Sequence, residues 1–537
     1  MRNCLIIISA IMVLWVAAAT NARYSGGTGE PNDPYQIATP ENLNDIGNHT
    51  EDWDKHFILV NDVNLAQYTG TQFNIISTVW NNAFTGVFDG NDHKIWNFTW
   101  TSDDQNNVGL FGWVGIGGQI KNLGMENVDV NAVNGHSVGG LVGINGGEIT
   151  NCYSKGKVSG TPYYLGGLVG WNFRGTITNC YSNGSVRGEG AGGLVGYNYM
   201  GTINNCYSTV SVSGGLFVGG LVGTHQDGLI TNCYSICSVL GISNVGGLVG
   251  FNYIGTIENC YSSTAISGDG EVGGLVGGNL GMVNNCYSTG SVSARGSVGG
   301  LVGENEEGTV TNCYSTGEVS GGRDSVGGLI GVNFDTITNC YSAGNVTGSR
   351  WVGGLVGNNG GAINACYSTG SVDGNDCVGG LVGWNEVGTI RNCYSSGSIT
   401  GVSCVGGIIG KNGGGCQPLC PGWIYNCYSV GRVTGSSNVG GLVGVHIVGE
   451  VGDSFWDKQA SGQSTSGGGT PKSTVEMQTK NTFRDACWDF VEIWGIGEHQ
   501  TYPFLQTEPA GDSNHDKKVD LADLAILASH WLDGTPP

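Results

Sequence analysis

The sequence predicts an all-β chain: a right-handed parallel β-helix (a solenoid) of about 12 or more coils, ending in a short C-terminal α-helical segment. Three observations predict it. The string Gly-Gly-(Leu/Ile)-(Val/Ile)-Gly recurs twelve times between Gly139 and Gly440. The string Cys-Tyr-Ser recurs eleven times, from Cys152 to Cys427, in steps of 26–28 residues with one final step of 34. Three residues before each of these cysteines stands only Ile or Val, from Ile149 to Ile424. A fixed period of this size signals stacked repeats rather than a globular core. Propeller blades need about 40–45 residues, and leucine-rich repeats carry a different Leu pattern. Frequent Gly and β-branched residues exclude helical repeats.

Composition agrees. Gly makes up 99 of 537 residues and Pro only 11. That excludes collagen, which needs Gly near one-third with abundant Pro. A hydrophobic fraction of 39% with 12% charged residues excludes generic disorder. The net charge of −22 shows no basic face for nucleic acid or an anionic membrane.

Taken in chain order, residues 1–22 read as a secretory signal peptide. Arg2 precedes the apolar run Leu5–Ala19, and Thr20-Asn21-Ala22 offers small residues for cleavage. A secreted, extracellular or cell-surface location follows, with no transmembrane segment after cleavage. Residues 23–106 form an N-terminal cap and the first coils. Residues 107–450 are the repeat, with Asn107-Val108-Gly109-Leu110-Phe111-Gly112 as a degenerate thirteenth copy. Within each coil the Ile149–Ile424 column faces inward and its successor outward, by the period of two. The Asn before most of these cysteines suits a left-handed bend and is read as an internal Asn ladder. Val158 to Val433 form a second inward stack, and the Leu-Val of each Gly-rich string a third strand. Two or three strands per coil are expected. Residues 451–506 break the period; Trp456, Trp488, Phe490, Trp494, Tyr502 and Phe504 read as an aromatic cap over the final coil, and Ser461–Gly469 as a flexible loop.

Residues 507–537 change character. Asp512, Asn514, Asp516, Lys518 (through its carbonyl), Asp520 and Asp523 stand at positions 1, 3, 5, 7, 9 and 12 of a loop, the spacing that wraps oxygen ligands around calcium. An amphipathic stretch, Leu521–Leu532, follows. The alternative is a solvated acidic turn before a short helix.

The repeat core Gly140-Leu141-Val142-Gly143 and its copies resemble the GLUG-repeat proteins. That resemblance implies a bacterial surface or secreted protein, in some members adhesive. Some members carry a peptidase elsewhere, but no His-Glu-x-x-His motif occurs here. Segments Ser25–Gly29, Asp33–Ile37, Phe57–Leu65 and Phe84–Asn91 are similar to the first coils of secreted right-handed β-helix proteins. The 507–537 tail is similar to half of a dockerin type I module, which implies calcium as cofactor and a cohesin-like partner. It departs from that pattern in carrying Lys517 at the Gly position and in having a single loop.

Candidate chemistry lies in several places. Trp171, Phe173, Tyr197, Tyr199, Phe251, Tyr253, Phe334 and Trp384 recur in phase, with Asn172, Asn198, Asn252, Asn305, Asn333 and Asn385 beside them. On stacked coils these make an edge of aromatic faces and amides that suits a saccharide, or a ladder that only closes the loop edge. The Tyr of Cys-Tyr-Ser form a second outward stripe. Glu306, Glu307, Asp335 and Glu386 are candidate acids for polysaccharide cleavage. The in-phase cysteines read as buried thiols acting as small hydrophobes. Cys377 with Cys404, and Cys416 with Cys420, are candidate disulfides; with Cys4 removed, 17 cysteines leave at least one thiol free. The function expected is a non-catalytic adhesion or glycan-binding scaffold, its partner an extracellular polysaccharide or surface protein. The alternatives are a polysaccharide lyase or hydrolase, and a structural surface or matrix spacer.

Overall fold

The computed structural model describes residues 23–79, 81–161, 163–415 and 420–506. The expected signal peptide, 1–22, and the expected calcium loop, 507–537, lie outside them. The chain is an all-β parallel solenoid of about 15 turns. At the ordinary strand spacing that makes a rod about 70 Å long.

Each turn contributes to four sheets. A sixteen-stranded sheet runs from Tyr35–Ile37 to Gly449–Gly452 and carries the Ile column. A twelve-stranded sheet holds the Gly-rich corner, from Val138–Gly139 to Ser437–Gly440. A thirteen-stranded sheet runs from Phe111–Val114 to Val443–His446. The fourth carries the Tyr column and the Val158 column, as in Tyr153–Gly160. In later coils its strand splits in two, as Tyr287–Ser288 and Val292–Ala294. Four to five short strands per turn thus replace the expected two or three, because each Gly-Gly and each left-handed corner interrupts the ladder.

Register is unbroken. Ile149 pairs Ile177, Ile177 pairs Ile203, and Ile390 pairs Ile424 across the long final step. The whole Ile column is 0–1% exposed and the Val158–Val433 column 1–3%. Burying them, with Leu and Val of every Gly-rich string, gives one continuous core. The Gly pair is required by close approach. A Cβ on Gly299 would lie 1.8 Å from the Val302 carbonyl oxygen, and one on Gly300 2.1 Å from that of Gly328.

Two ladders of Asn differ from expectation. The residue before each column Cys does take the left-handed conformation, with φ of 51–55° from Asn151 to Asn426, Ala365 included. Its side chain, however, faces outward, and the bonds it makes, such as Asn179 Nδ2 to Asn151 Oδ1 at 3.1 Å, are on the surface. The internal ladder uses the other Asn set, from Asn145 to Asn412. Each is fully buried, and each amide donates to the next at 2.7–2.9 Å, as Asn305 does to Asn333 at 2.8 Å. His225 and His446 replace Asn in two coils and accept from Asn198 and Asn412, each at 3.0 Å.

Both ends are closed. Helix Pro40–Asn48, capped by Thr39, buries Leu43 and Ile46 over the first coils. At the other end Trp456 covers Gly441 and belongs to the main core. Ser461–Gly469 is no loose loop: Thr465 O accepts from Gly441 N at 3.0 Å, and Ser466 Oγ accepts from Val443 N at 2.8 Å. It thereby satisfies donors that the last coil would leave bare. Trp488, Phe490, Trp494 and Tyr502 do not sit over the end. With Phe483, they pack against Tyr394 and Tyr428 on the flank. Phe504 is exposed. No helix among the described residues is long and apolar enough to cross a membrane.

Candidate functional site

The expected aromatic edge resolves into separate patches. Trp171 and Tyr197 are register partners, as are Phe173 and Tyr199, and the rings stack at 5.8 and 5.7 Å. Phe251 and Tyr253 occupy the same two columns, but Thr224 and Gln226 intervene. Trp384 lies five coils beyond Phe251, about 24 Å away along the axis. Phe334 is exposed on its own.

A second column, at the corner leading into the Gly-rich sheet, completes the patches. Tyr164 stacks on Tyr197 at 4.8 Å, Phe217 meets Phe251 at 5.5 Å, and Trp351 meets Trp384 at 4.9 Å. In each pair the corner residue reaches the following coil. These partners do not lie in the Trp-Asn-Phe segment, so in-phase reading of that segment misses them. The rings spend their faces on one another. Tyr197 donates its hydroxyl to Gln226 at 2.5 Å, and burial, then Tyr164 and Tyr199, push its pKa up to about 12. The amides assigned to this edge (Asn172, Asn198, Asn252, Asn305, Asn333 and Asn385) point into the core. Period two already says so: an Asn between two outward aromatics faces the other way.

The Tyr stripe is more regular. From Tyr153 to Tyr428 neighbouring rings lie 4.8–5.1 Å apart and within 10° of parallel. Stacking covers their faces; the rings from Tyr153 to Tyr394 are half-buried, and Tyr428 is buried under the C-terminal segment, its hydroxyl donating to Pro503 O. Beside them runs the outward Asn ladder. Over coils Asn259 to Asn364 the C-terminal segment, through Glu492, Ile493, Leu505 and Gln506, walls off a groove of about 660 Å³. Its floor is Asn259, Asn285, Asn312 and Asn339 with Tyr314 and Tyr341. Amides and phenol edges repeat there once per coil, a donor and acceptor array inside the size range of ligand sites.

Of the candidate acids, Glu306 and Glu307 are exposed. Asp335 accepts from Thr336 Oγ1 at 2.9 Å, and Glu386 from Asn358 at 3.3 Å. The perturbed acid is one the sequence did not single out. Glu304 sits in the Trp171–Trp384 column, and burial, then Glu271 and Glu306, raise its pKa to about 7.

The cysteine column is a column of thiols. Cys152 to Cys427 are free and buried. Each backbone N–H down to Cys340 donates to the next sulfur at 3.4 Å. Burial is the first cause raising most of these thiols well above their usual range, Cys233 and Cys313 among them. Cys377 and Cys404 are also free thiols, not a bridge. Cys420 is disulfide-bonded, and Cys416, its expected partner, lies outside the described residues. So do Asp512, Asn514, Asp516, Lys518, Asp520 and Asp523.

Eight segments (134–159, 161–187, 188–213, 241–267, 268–293, 294–320, 322–347 and 374–400) match the GLUG motif. Halomucin of Haloquadratum walsbyi is 33% identical over 149 residues, 27% of this chain and 2% of that protein. A protein of Evansella cellulosilytica named "Putative Gly-rich membrane protein" is 47% identical over 72 residues, 12% of this chain and 8% of its own. The chain thus spans only a small part of either relative. A solved structure, described as a putative immunoglobulin A1 protease from Bacteroides ovatus, aligns over 90% of this chain and 95% of its own at 18% identity, with a TM-score of 0.23. The chain is a β-solenoid, and eight of its segments match the GLUG motif.

Proposed function

We propose that this chain is a non-catalytic rod of the cell surface or extracellular space that binds an extended polysaccharide along its Tyr and Asn flank. The observation that carries this is the groove between that flank and the C-terminal segment. Hydroxyl-rich chains pair with amides and phenols, and an array repeating about every 4.8 Å suits a polymer better than a single small molecule. The names of the two relatives support a surface location. The tail beyond residue 506 then serves as a calcium-dependent docking segment toward a surface partner, by its loop spacing. A glycan array followed by calorimetry on the hits tests the binding. Asn285→Gly with Asn312→Gly keeps the left-handed corners and removes two amides; at least tenfold weaker binding is expected. If no glycan binds, the rod is a structural spacer.

A catalytic reading is favoured by Glu304, whose pKa is raised to about 7 by burial and then by Glu271 and Glu306. It requires turnover of a polysaccharide that Glu304→Gln abolishes.

A further inference from the structure

The corner column leading into the Gly-rich sheet runs Asn244, Glu271, Ser297, Ser325, Trp351, Cys377, Cys404, Asn438, and all but Glu271 and Ser297 are left-handed. Two adjacent coils carry thiols there, and the residue before the first is Asp376. Both cysteines hold the same corner geometry, with φ of 52° and 54°. They lie between the register pairs Asp376–Ser403 and Val378–Val405, so their side chains leave the backbone in the same direction one coil apart. Cys377 is buried, while Cys404 and Asp376 are half-buried.

The two Sγ atoms and a carboxylate oxygen of Asp376 all lie within 4.8 Å of one another. Among the described residues this is the one group of three or more such side chains that meets that distance. A tetrahedral centre with bonds of about 2.0–2.3 Å sets its ligand atoms about 3.3–3.8 Å apart, so small side-chain rotations close the gap. The carboxylate is already aimed: Ser403 Oγ donates to Asp376 Oδ1 at 2.6 Å. Metal sites use this kind of outer hydrogen bond to fix a ligand. Charge also balances. Two thiolates and a carboxylate carry −3, and a divalent cation leaves −1. Arg350 lies 3.8 Å from Asp376, and Lys411 stands 4.5 Å from the Trp384 ring beside the site. Trp351, the corner residue one coil before Cys377, meets Trp384 at 4.9 Å.

We propose that Asp376, Cys377 and Cys404 bind one soft divalent cation of the Zn²⁺ type, with the fourth position left to water. Thiolates select such ions over calcium or magnesium. The site is distinct from the calcium-type loop and from the Tyr–Asn groove. The eleven column thiols cannot compete, since they are buried in the core.

The test uses the full chain, reduced and then freed of reductant without air, titrated with Co²⁺ and then Zn²⁺. A sulfur-to-cobalt charge-transfer band saturating at one metal per chain is expected, with Zn²⁺ displacing it. The band reads only sulfur ligands, so calcium sites do not contribute. Cys377→Ser and Cys404→Ser each abolish it. Asp376→Asn keeps it but weakens binding at least tenfold, and Cys487→Ser, at an exposed thiol, leaves it unchanged. Cys404→Asn guards against misfolding, because Asn244 and Asn438 already occupy that corner; it too must lose the band. No band in the unaltered chain, a band that survives both serine variants, or a Cys377–Cys404 disulfide in freshly isolated chain overturns the proposal.

Discussion

His225 makes the rod sensitive to acid, and the size of the effect follows from its contacts. It occupies the internal Asn ladder at 0% exposure. Asn198 Nδ2 can only donate, so His225 Nδ1 must accept, and Nε2–H donates to Thr256 O at 3.3 Å. That tautomer is neutral. Protonating Nδ1 would break the ladder and bury a cation, so burial lowers the pKa from 6.5 to about 4. The fold therefore binds this proton later than the unfolded chain does. Its contribution to stability is complete above pH 6.5 and is lost as pH falls toward 4. One proton over that window is worth about 3 kcal/mol, of which about 2 kcal/mol is gone by pH 5. His225→Asn restores the residue that every ladder coil from Asn145 to Asn412 but this one carries. It also gives Asn252 Oδ1, buried without a partner, the donor it lacks. Native-state hydrogen exchange of the Val222–Gln226 amides, corrected for the intrinsic pH dependence, reads the local opening free energy. The variant should match or exceed the parent at pH 7 and lead it by about 2 kcal/mol more at pH 5. Parallel pH profiles for the two proteins would refute the reasoning.

Further outcomes follow from the same geometry. Asn305→Ala strands Gly308 O, Asn333 Oδ1 and one amide hydrogen of Asn279, costing about 3–5 kcal/mol. Asn312→Ala, on the surface ladder, costs only about 1–2 kcal/mol of left-handed strain; chemical denaturation giving equal losses would contradict the assignment of inner and outer ladders. Ala365 already endures that strain at φ 52°, so Ala365→Asn should stabilise by about 1 kcal/mol in the same assay. Gly300→Ala drives a Cβ to 2.1 Å from a carbonyl oxygen and should cost about 3 kcal/mol or more, whereas Gly322→Ala, with its nearest neighbour at 3.7 Å, should be close to neutral by thermal unfolding.

Much of this molecule is written in its repeat. The period, the inward Ile and Val columns, the buried thiols and the left-handed place of the pre-Cys Asn all follow from comparing copies within one chain. Stacking puts equivalent residues on top of one another, so whatever one coil buries, every coil buries. What the repeat could not supply is how the faces turn at the corners. A strand's alternation restarts at each Gly and each left-handed residue, and a shift of one position exchanges inside for outside. That is why the pre-Cys Asn ladder lies outside and Asn145 to Asn412 lie inside. It is also why the aromatic edge lost its amides. Contacts across a corner are a further matter for the folded chain. Tyr164 with Tyr197, Trp351 with Trp384, and the C-terminal wall of the groove join residues from different sheets and coils. Such pairings depend on the angle at which one sheet turns into the next and on where the non-repeating end docks, and no period in the sequence records either.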